Sequence, residues 1–174
     1  GASGYSSCAA WKNSRGGSTR TVGEPSRFAT RCAVSIISRV GLTDVEKQFP
    51  GQPGFDKDTD NPQVVESRAI GATCGGVRVW SLYVPNGREI ADPHYDYKLR
   101  WLFALRNHVA DVLRANPEEK MILLGDFNIA PDARDVHDPA AWGEDSILTS
   151  TAERAALQRL LGLGLHDSFR LFET

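Results

Sequence analysis

Five polar residues that could act on a phosphate ester follow two predicted strands. In "SLYVPNGRE", Tyr83, Asn86 and Arg88 lie at or just beyond the end of one strand, and in "LLGDFNIAP" Asp126 and Asn128 follow another. Because strand residues alternate between faces, Asp126 and Asn128 are expected on the same side. A carboxylate can orient or deprotonate a water molecule, and an amide can donate to a phosphate oxygen. The two strand ends are therefore a candidate hydrolytic centre.

Each of these residues also has a simpler structural explanation. "GDFN" is typical of an aspartate turn in which the asparagine caps the loop. Tyr83 fits a half-buried strand aromatic, Asn86 fits a turn residue after proline, and Arg88 fits a solvated loop arginine. By residue type alone, these structural alternatives are the more frequent cases. Both interpretations stay open at this point.

Length and composition bound the class of protein. A chain of 174 residues with 41% hydrophobic content can bury the core of one domain. The net charge of -2 does not exclude nucleic acid, because a local basic patch can bind it. The three cysteines, Cys8, Cys32 and Cys74, have no zinc-ligand spacing, so we expect reduced thiols in a cytoplasmic protein. No signal peptide and no apolar run of the ~20 residues that span a bilayer is found.

The pattern of apolar residues predicts strands first and helices later. Residues 1–30 are predicted as basic coil, "CAVSIISRV" as the first strand and residues 49–62 as a long loop. Two strands around Gly75-Gly76 are predicted to form a hairpin. The predicted helix from Tyr95 to Ala115 has an apolar stripe made by Leu99, Leu102, Phe103, Val109, Val112 and Leu113.

The second half of the chain continues this order. "KMILLGD" is predicted as a strand covered on both faces, because it is continuously apolar. Ser150 and Glu153 have the spacing of a capping box, which predicts the start of the last helix. Strands in a hairpin, followed by strands interleaved with helices, indicate a mixed α/β or α+β domain.

Three blocks of the sequence carry a family resemblance: "SLYVPNGRE", "ILLGDFNIAPDARDVHDPAAW" and "ERAALQRLLGLGLHDSFR". Their order and spacing over residues 33–170 resemble bacterial exodeoxyribonuclease III. That group belongs to the apurinic/apyrimidinic (AP) endonucleases of the endonuclease/exonuclease/phosphatase superfamily. The resemblance implies an α+β fold, a four-layered αββα sandwich with two sheets between layers of helices.

The resemblance also implies a function and a role for each site residue. The activity would be that of a DNA-repair nuclease, which hydrolyses phosphodiester bonds at abasic sites and 3′ ends of double-stranded DNA. It would depend on Mg²⁺, with Mn²⁺ as an alternative metal. The protein would be a monomer without a membrane partner. Tyr83 would contact the target phosphate, and Asp126 would position or activate water. Asn128 would hold Asp126 and stabilise charge, and both residues would adjoin the metal. Asn86 and Arg88 would bind substrate.

The chain departs from the family pattern at both ends. The resemblance implies an N-terminal metal-binding Glu and a C-terminal Asp and His, and we find no candidates for them. We therefore expect residues 1–32 to be poorly matched, either disordered or non-native, and residues 33–174 to be the central part of a single nuclease domain. Weak or absent activity follows for such an incomplete chain. The alternatives are a phosphoesterase of the same superfold acting on a small phosphorylated substrate, and a non-catalytic DNA-binding fragment.

Overall fold

A four-stranded mixed sheet with helices packed against it forms the part of the protein that the structure describes. The computed structural model describes residues 34–142 and 146–172. The strands are β1 (Thr43–Glu46), β2 (Ala69–Cys74), β3 (Val77–Tyr83) and β4 (Met121–Asp126), in that spatial order. The helices are α1 (Pro93–Ala115), α2 (Pro139–Trp142) and α3 (Thr151–Leu161), with a 3₁₀ turn at Ala133–Asp135. The predicted α+β class is confirmed, and these residues supply one sheet and one helical layer of the expected sandwich.

The predicted hairpin joins β2 and β3. The two strands pair antiparallel from Ala69 opposite Leu82 to Cys74 opposite Val77. The turn residues Gly75 and Gly76 both have positive φ, 58° and 82°. A two-residue turn with this geometry matches the right-handed twist of paired strands, and glycine adopts it without steric cost.

Helix α1 connects β3 to β4, so these two strands run parallel. Asp92 caps its start by accepting a hydrogen bond from the His94 N–H at 2.8 Å, with Pro93 in the first turn. The helix ends at Asn116, which precedes Pro117. The prediction of this helix is confirmed. Although it is 23 residues long, no helix of the described residues is apolar enough to cross a membrane.

The core lies between one face of the sheet and the helices. Trp80 of β3 and Trp101 of α1 are fully buried, and Phe49 packs edge-on against both, with its ring centroid 5.0 Å from that of Trp101. Leu160 brings α3 into the same cluster. The predicted loop that starts at Phe49 has no regular element, and two aromatic residues, Phe49 and the partly buried Phe55, anchor it to the core.

Three expectations about apolar residues are wrong. Phe103, placed in the buried stripe of α1, is 65% exposed, because Trp101 and Leu105 occupy the core face instead. Residues 34–40 form no strand, and Ile37 and Val40 are each 73% exposed. β-branched residues favour an extended backbone, but a strand also needs a neighbour to pair with, and this segment has none in the described structure.

The third error concerns β4, which is covered on one face only. Met121 and Leu123 pack against the core, whereas Ile122 and Leu124 are 49% and 43% exposed. The described helices cover only the first of these faces, and β4 is the last strand of the described sheet. The predicted basic coil, Cys8 and Cys32 lie outside the described residues.

The buried His94 and the half-buried His108 predict that the fold loses stability in acid. Burial lowers the pKa of His94 and of His108 below the usual value. Between the lowered folded value and about 6.5, the unfolded chain binds more protons, so the free energy of unfolding decreases as the pH falls through this window. We expect urea unfolding at pH 7.5 and pH 5 to show this loss. The loss should be smaller in a His94→Gln/His108→Gln variant and equal to that of the wild type in the exposed control His137→Gln. An equal loss in the wild type and both variants would contradict the assignment of the effect to His94 and His108.

Candidate active site at the ends of β3 and β4

The parallel pairing of β3 and β4 places a phenol beside a carboxylate. Tyr83 and Asp126 are partners in the register, at the last position of each strand. Partners in adjacent strands point to the same side of a sheet. Tyr83 is half-buried and Asp126 is exposed, so this end of the strand pair is accessible to solvent.

A tight turn directly after β4 organises Asp126 and Asn128. The Asp126 Oδ1 atom accepts a hydrogen bond from the Asn128 N–H at 2.8 Å, and Asn128 has a φ of 50°. This is the aspartate turn of the structural alternative. It engages only one carboxylate oxygen, since Oδ2 of Asp126 accepts no hydrogen bond from the described residues. The structural and the chemical interpretation of "GDFN" are therefore compatible.

The side chain of Asn128 links the two strand ends. Its Nδ2 donates to the carbonyl oxygen of Val84 at 2.9 Å, and its Oδ1 accepts from the Nδ2 of Asn86 at 3.1 Å. Oδ1 of Asn86 in turn accepts from the backbone N–H of Arg88 at 3.1 Å. The structure thus brings together Tyr83, Asp126, Asn128 and Asn86, four of the five residues that the sequence indicated.

The fifth residue, Arg88, contributes its backbone to this cluster and directs its side chain elsewhere. Its guanidinium lies 3.8 Å from the Asp92 carboxylate. The side chain lines a cavity of about 450 Å³ together with Trp142 and Ile147. If Arg88 contacts substrate, it does so beside the cluster, toward this cavity.

Sequence reasoning missed Arg68, which lies against Tyr83. The Arg68 guanidinium is 5.4 Å from the centre of the Tyr83 ring, and its Nη1 donates to the Tyr83 carbonyl oxygen at 3.4 Å. A 2.7 Å ion pair with Glu66 holds it there. An arginine directly before a buried strand is a weak signal, because most such residues are solvated.

Sequence reasoning also missed a buried ion pair beneath the cluster. The side chains of Lys98 in α1 and Glu153 in α3 are both 0% exposed and pair with each other. The Lys98 Nζ also donates to the carbonyl oxygens of Asn128, at 2.6 Å, and Asn86, at 3.2 Å. Burial lowers the pKa of Lys98, and the hydrogen bond that Lys98 donates to Glu153 and the charges of Glu153 and Asp126 oppose that shift. The sequence feature that could have indicated this pair is a lysine among the aromatic residues of a helix face.

The expected metal residues supply a partial coordination shell. No group of three His, Cys, Asp or Glu side chains within the described ranges could hold a metal ion together. Mg²⁺ in proteins is commonly held by one or two carboxylates, with water and substrate phosphates completing six ligands. Asp126 offers one carboxylate with a free oxygen, and Asn128 offers an amide oxygen with a second lone pair. These two residues therefore fit a Mg²⁺ site in which water and substrate phosphates supply the remaining ligands.

Comparison with known proteins agrees with the family resemblance of the sequence blocks. The model of the Endonuclease/Exonuclease/phosphatase family matches residues 3–171. The match includes residues 3–32, for which we found no counterpart in the family blocks. An exodeoxyribonuclease of Bacillus subtilis (strain 168) is 33% identical over 105 residues, which are 60% of this chain and 40% of that protein.

Solved structures support the fold and show how much of it this chain spans. A 3′ phosphatase, NExo, from Neisseria, solved bound to a product DNA hairpin, has a TM-score of 0.66 at 39% identity and covers 79% of this chain. A 3′-5′ exonuclease from Neisseria meningitidis has a TM-score of 0.65 at 40% identity over the same share. An AP endonuclease from Archaeoglobus fulgidus has 0.65 at 28%, covering 78%. The chain spans 49%, 49% and 48% of these structures. With the fold and the strand-end cluster, these matches establish that the chain belongs to the endonuclease/exonuclease/phosphatase family of hydrolases.

Proposed function

We propose that this chain carries part of the active site of a DNA-repair nuclease that hydrolyses phosphodiester bonds at abasic sites and 3′ ends of double-stranded DNA. The observation that carries the proposal is the register of β3 and β4. It aligns Tyr83 with Asp126 and leaves two asparagine side chains at the same edge. The names of the matched relatives, an exodeoxyribonuclease, a 3′-5′ exonuclease and an AP endonuclease, support this substrate class.

The chemistry of these residues suits attack by water on a phosphodiester. The Asp126 carboxylate accepts a proton from the attacking water through its free oxygen, while the water oxygen forms the new bond to phosphorus. The bond from phosphorus to the leaving 3′ oxygen breaks, its electron pair stays on that oxygen, and the alkoxide takes a proton from solvent water to become a hydroxyl. The Tyr83 hydroxyl donates to a phosphate oxygen as negative charge develops there, and the Asn86 amide lies at the same edge. Mg²⁺ held at Asp126 and Asn128 would supply positive charge to the phosphate when bound.

The exposure of the cluster favours a polymeric substrate. Asp126 and Asn86 are exposed at an open edge of the sheet, where a DNA backbone can lie across them. A small phosphorylated metabolite gains most of its affinity from a concave pocket that surrounds it. The sugar-phosphate or lipid-headgroup alternative is therefore the second choice.

The proposal is tested by nicking of an abasic-site duplex in the presence of Mg²⁺. We expect the natural protein that contains this chain to nick the duplex and to leave inositol phosphates intact. The 174-residue chain alone is expected to nick weakly or not at all, because it spans only about half the length of the matched structures. Efficient nicking by the chain alone would contradict this second expectation. Hydrolysis of inositol phosphates without nicking would overturn the DNA substrate.

Binding without turnover would identify the non-catalytic alternative. A protein held to DNA by phosphate contacts loses affinity steeply as salt is raised, so its dissociation constant should be measured at 50 and 200 mM salt.

The proposal also covers the organisation of the protein. Residues 33–174 would be the central part of one domain, and the protein would be a monomer located in the cytoplasm.

A further inference from the structure

We propose that the buried pair of Lys98 and Glu153 positions the hydrolytic residues by holding the backbone of both site loops from the inside. The site loops are residues 84–88 after β3 and residues 127–130 after β4. The inference rests on the nuclease function proposed above. It assigns the pair a positioning role, because neither side chain reaches the face on which substrate would lie.

The Lys98 ammonium group contacts both loops at once. It donates to the carbonyl oxygen of Asn128 at 2.6 Å and to that of Asn86 at 3.2 Å, and its third acceptor is the Glu153 carboxylate. An ammonium group has three protons, and these three acceptors use all of them. The same two asparagines are joined on their outer side by the 3.1 Å hydrogen bond between their side chains. The loops are therefore tied together from both sides.

Because the ion pair is buried, Lys98 and Glu153 cannot separate without a large cost in free energy. Both side chains are completely buried, and a charge at such depth is strongly disfavoured without its partner. If the ammonium group moved away from the loop carbonyls, it would have to stay with Glu153 or leave that carboxylate bare. The attraction between Lys98 and Glu153 therefore keeps the ammonium group at the position from which it donates to the two loop carbonyl groups.

Glu153 connects this donor to two helices. Its other carboxylate oxygen accepts from the Ser150 N–H at 3.1 Å and from the Ser150 hydroxyl at 2.7 Å. The Tyr95 hydroxyl of α1 lies 2.6 Å from the Ser150 Oγ. The capping box that starts α3 therefore also fixes the position of Lys98. Through these contacts the site loops are held at a defined place relative to α1 and α3.

A pair of neutral side chains could fill this space but could not hold the loops. Replacing a buried ion pair with side chains of similar volume often preserves stability. The carbonyl groups of Asn86 and Asn128 would nevertheless lose their shared donor, and their amide side chains would move with the backbone. Small displacements of groups that orient a reaction can lower its rate about 10²-fold. Stability and rate can therefore be separated by experiment.

Three variants of the natural protein that contains this chain provide the test. Lys98→Met removes the ammonium group and leaves Glu153 buried without a partner. Lys98→Met/Glu153→Gln removes both charges, and the glutamine side-chain oxygen keeps an acceptor for Ser150. Leu160→Ala opens a space in the core but removes no hydrogen bond to either loop, so it is the control for lost stability alone.

The kinetic outcome separates positioning from simple packing. We expect the double variant to be more stable than Lys98→Met, while its kcat on an abasic duplex with Mg²⁺ stays about 10²-fold below wild type. Its KM should change less than about threefold, because lost orientation lowers kcat rather than uniform binding. Leu160→Ala should keep the wild-type kcat below its melting temperature. A double variant with the wild-type kcat would overturn the proposal.

A second measurement does not depend on catalysis. The side-chain amide resonances of Asn86 and Asn128 in ¹⁵N NMR spectra report the position of the loops. We expect both to shift in the double variant and to stay in place in Leu160→Ala. If the wild-type protein cuts no DNA, the proposed nuclease function is lost, and these resonances alone decide the positioning role. Unchanged resonances in the double variant would overturn it.

Discussion

Replacing Asp126 by asparagine should lower the rate of DNA hydrolysis by the natural protein about 10³-fold, since positioned general bases contribute about 10²- to 10⁴-fold. The substitution keeps the shape of the side chain and the oxygen that accepts from the Asn128 N–H, but it removes the oxygen free to take a proton. DNA affinity should be kept or increased, because a negative charge beside the phosphate is removed. Nicking of an abasic duplex and equilibrium binding at one salt concentration measure the two effects.

The matched control for this variant is Asp111→Asn. Asp111 is an exposed carboxylate on α1 that pairs with Arg114 on the same helix. Surface substitutions of this kind change stability by about 0.5 kcal/mol or less, so its nicking rate should stay within about twofold of wild type. An Asp126→Asn variant that retains the wild-type rate would remove Asp126 from the proposed mechanism.

Replacing Gly125 by alanine should cost about 2–5 kcal/mol of unfolding free energy and abolish hydrolysis, as the sum of backbone strain and overpacking. Gly125 has a φ of 127°, and a Cβ at this position would overlap the carbonyl oxygen of Leu82 in the neighbouring strand. Since that atom belongs to the backbone, relief requires β3 and β4 to separate at the residue before Asp126. Urea unfolding measures the loss of stability, and nicking measures the loss of activity.

Gly164→Ala separates the overlap from the strain. Gly164 also has a positive φ, 98°, but among the described residues no heavy atom beyond its chain neighbours lies within 4 Å of the place where its Cβ would be. Its cost should be limited to the strain of a left-handed backbone, about 1–2 kcal/mol. Equal losses in the two variants would show that contact with the Leu82 carbonyl group is unimportant.

The elements that were predicted correctly depend on neighbouring residues in the chain. The Gly75-Gly76 turn, the end of α1 before Pro117 and the capping box at Ser150 each follow from the chemistry of a few adjacent positions. The strand ends that form the candidate site were predicted because Tyr83 and Asp126 each follow an apolar run. Their direct alignment was not predictable, since it requires the parallel register of β3 and β4.

The features that were missed depend on what the chain packs against. Ile37 and Ile122 are strong strand or core residues by type, yet both are exposed because no described segment covers them. Lys98 was not singled out, and Glu153 was recognised only as half of a capping box. Their pairing joins residues 55 positions apart, which periodicity within one helix does not reveal.

The attachment of both site loops on their inner side has a consequence for how such a protein can diversify. The hydrolytic groups are anchored by Lys98 through backbone carbonyl groups, which are present whatever side chains the loops carry. The cavity beside Arg88 is lined by residues that take no part in the contacts of Lys98. Under the proposed nuclease function, substitutions there can retune which DNA ends or lesions are preferred while the reacting atoms stay where they are. Selectivity and chemistry are thus separable traits in this architecture.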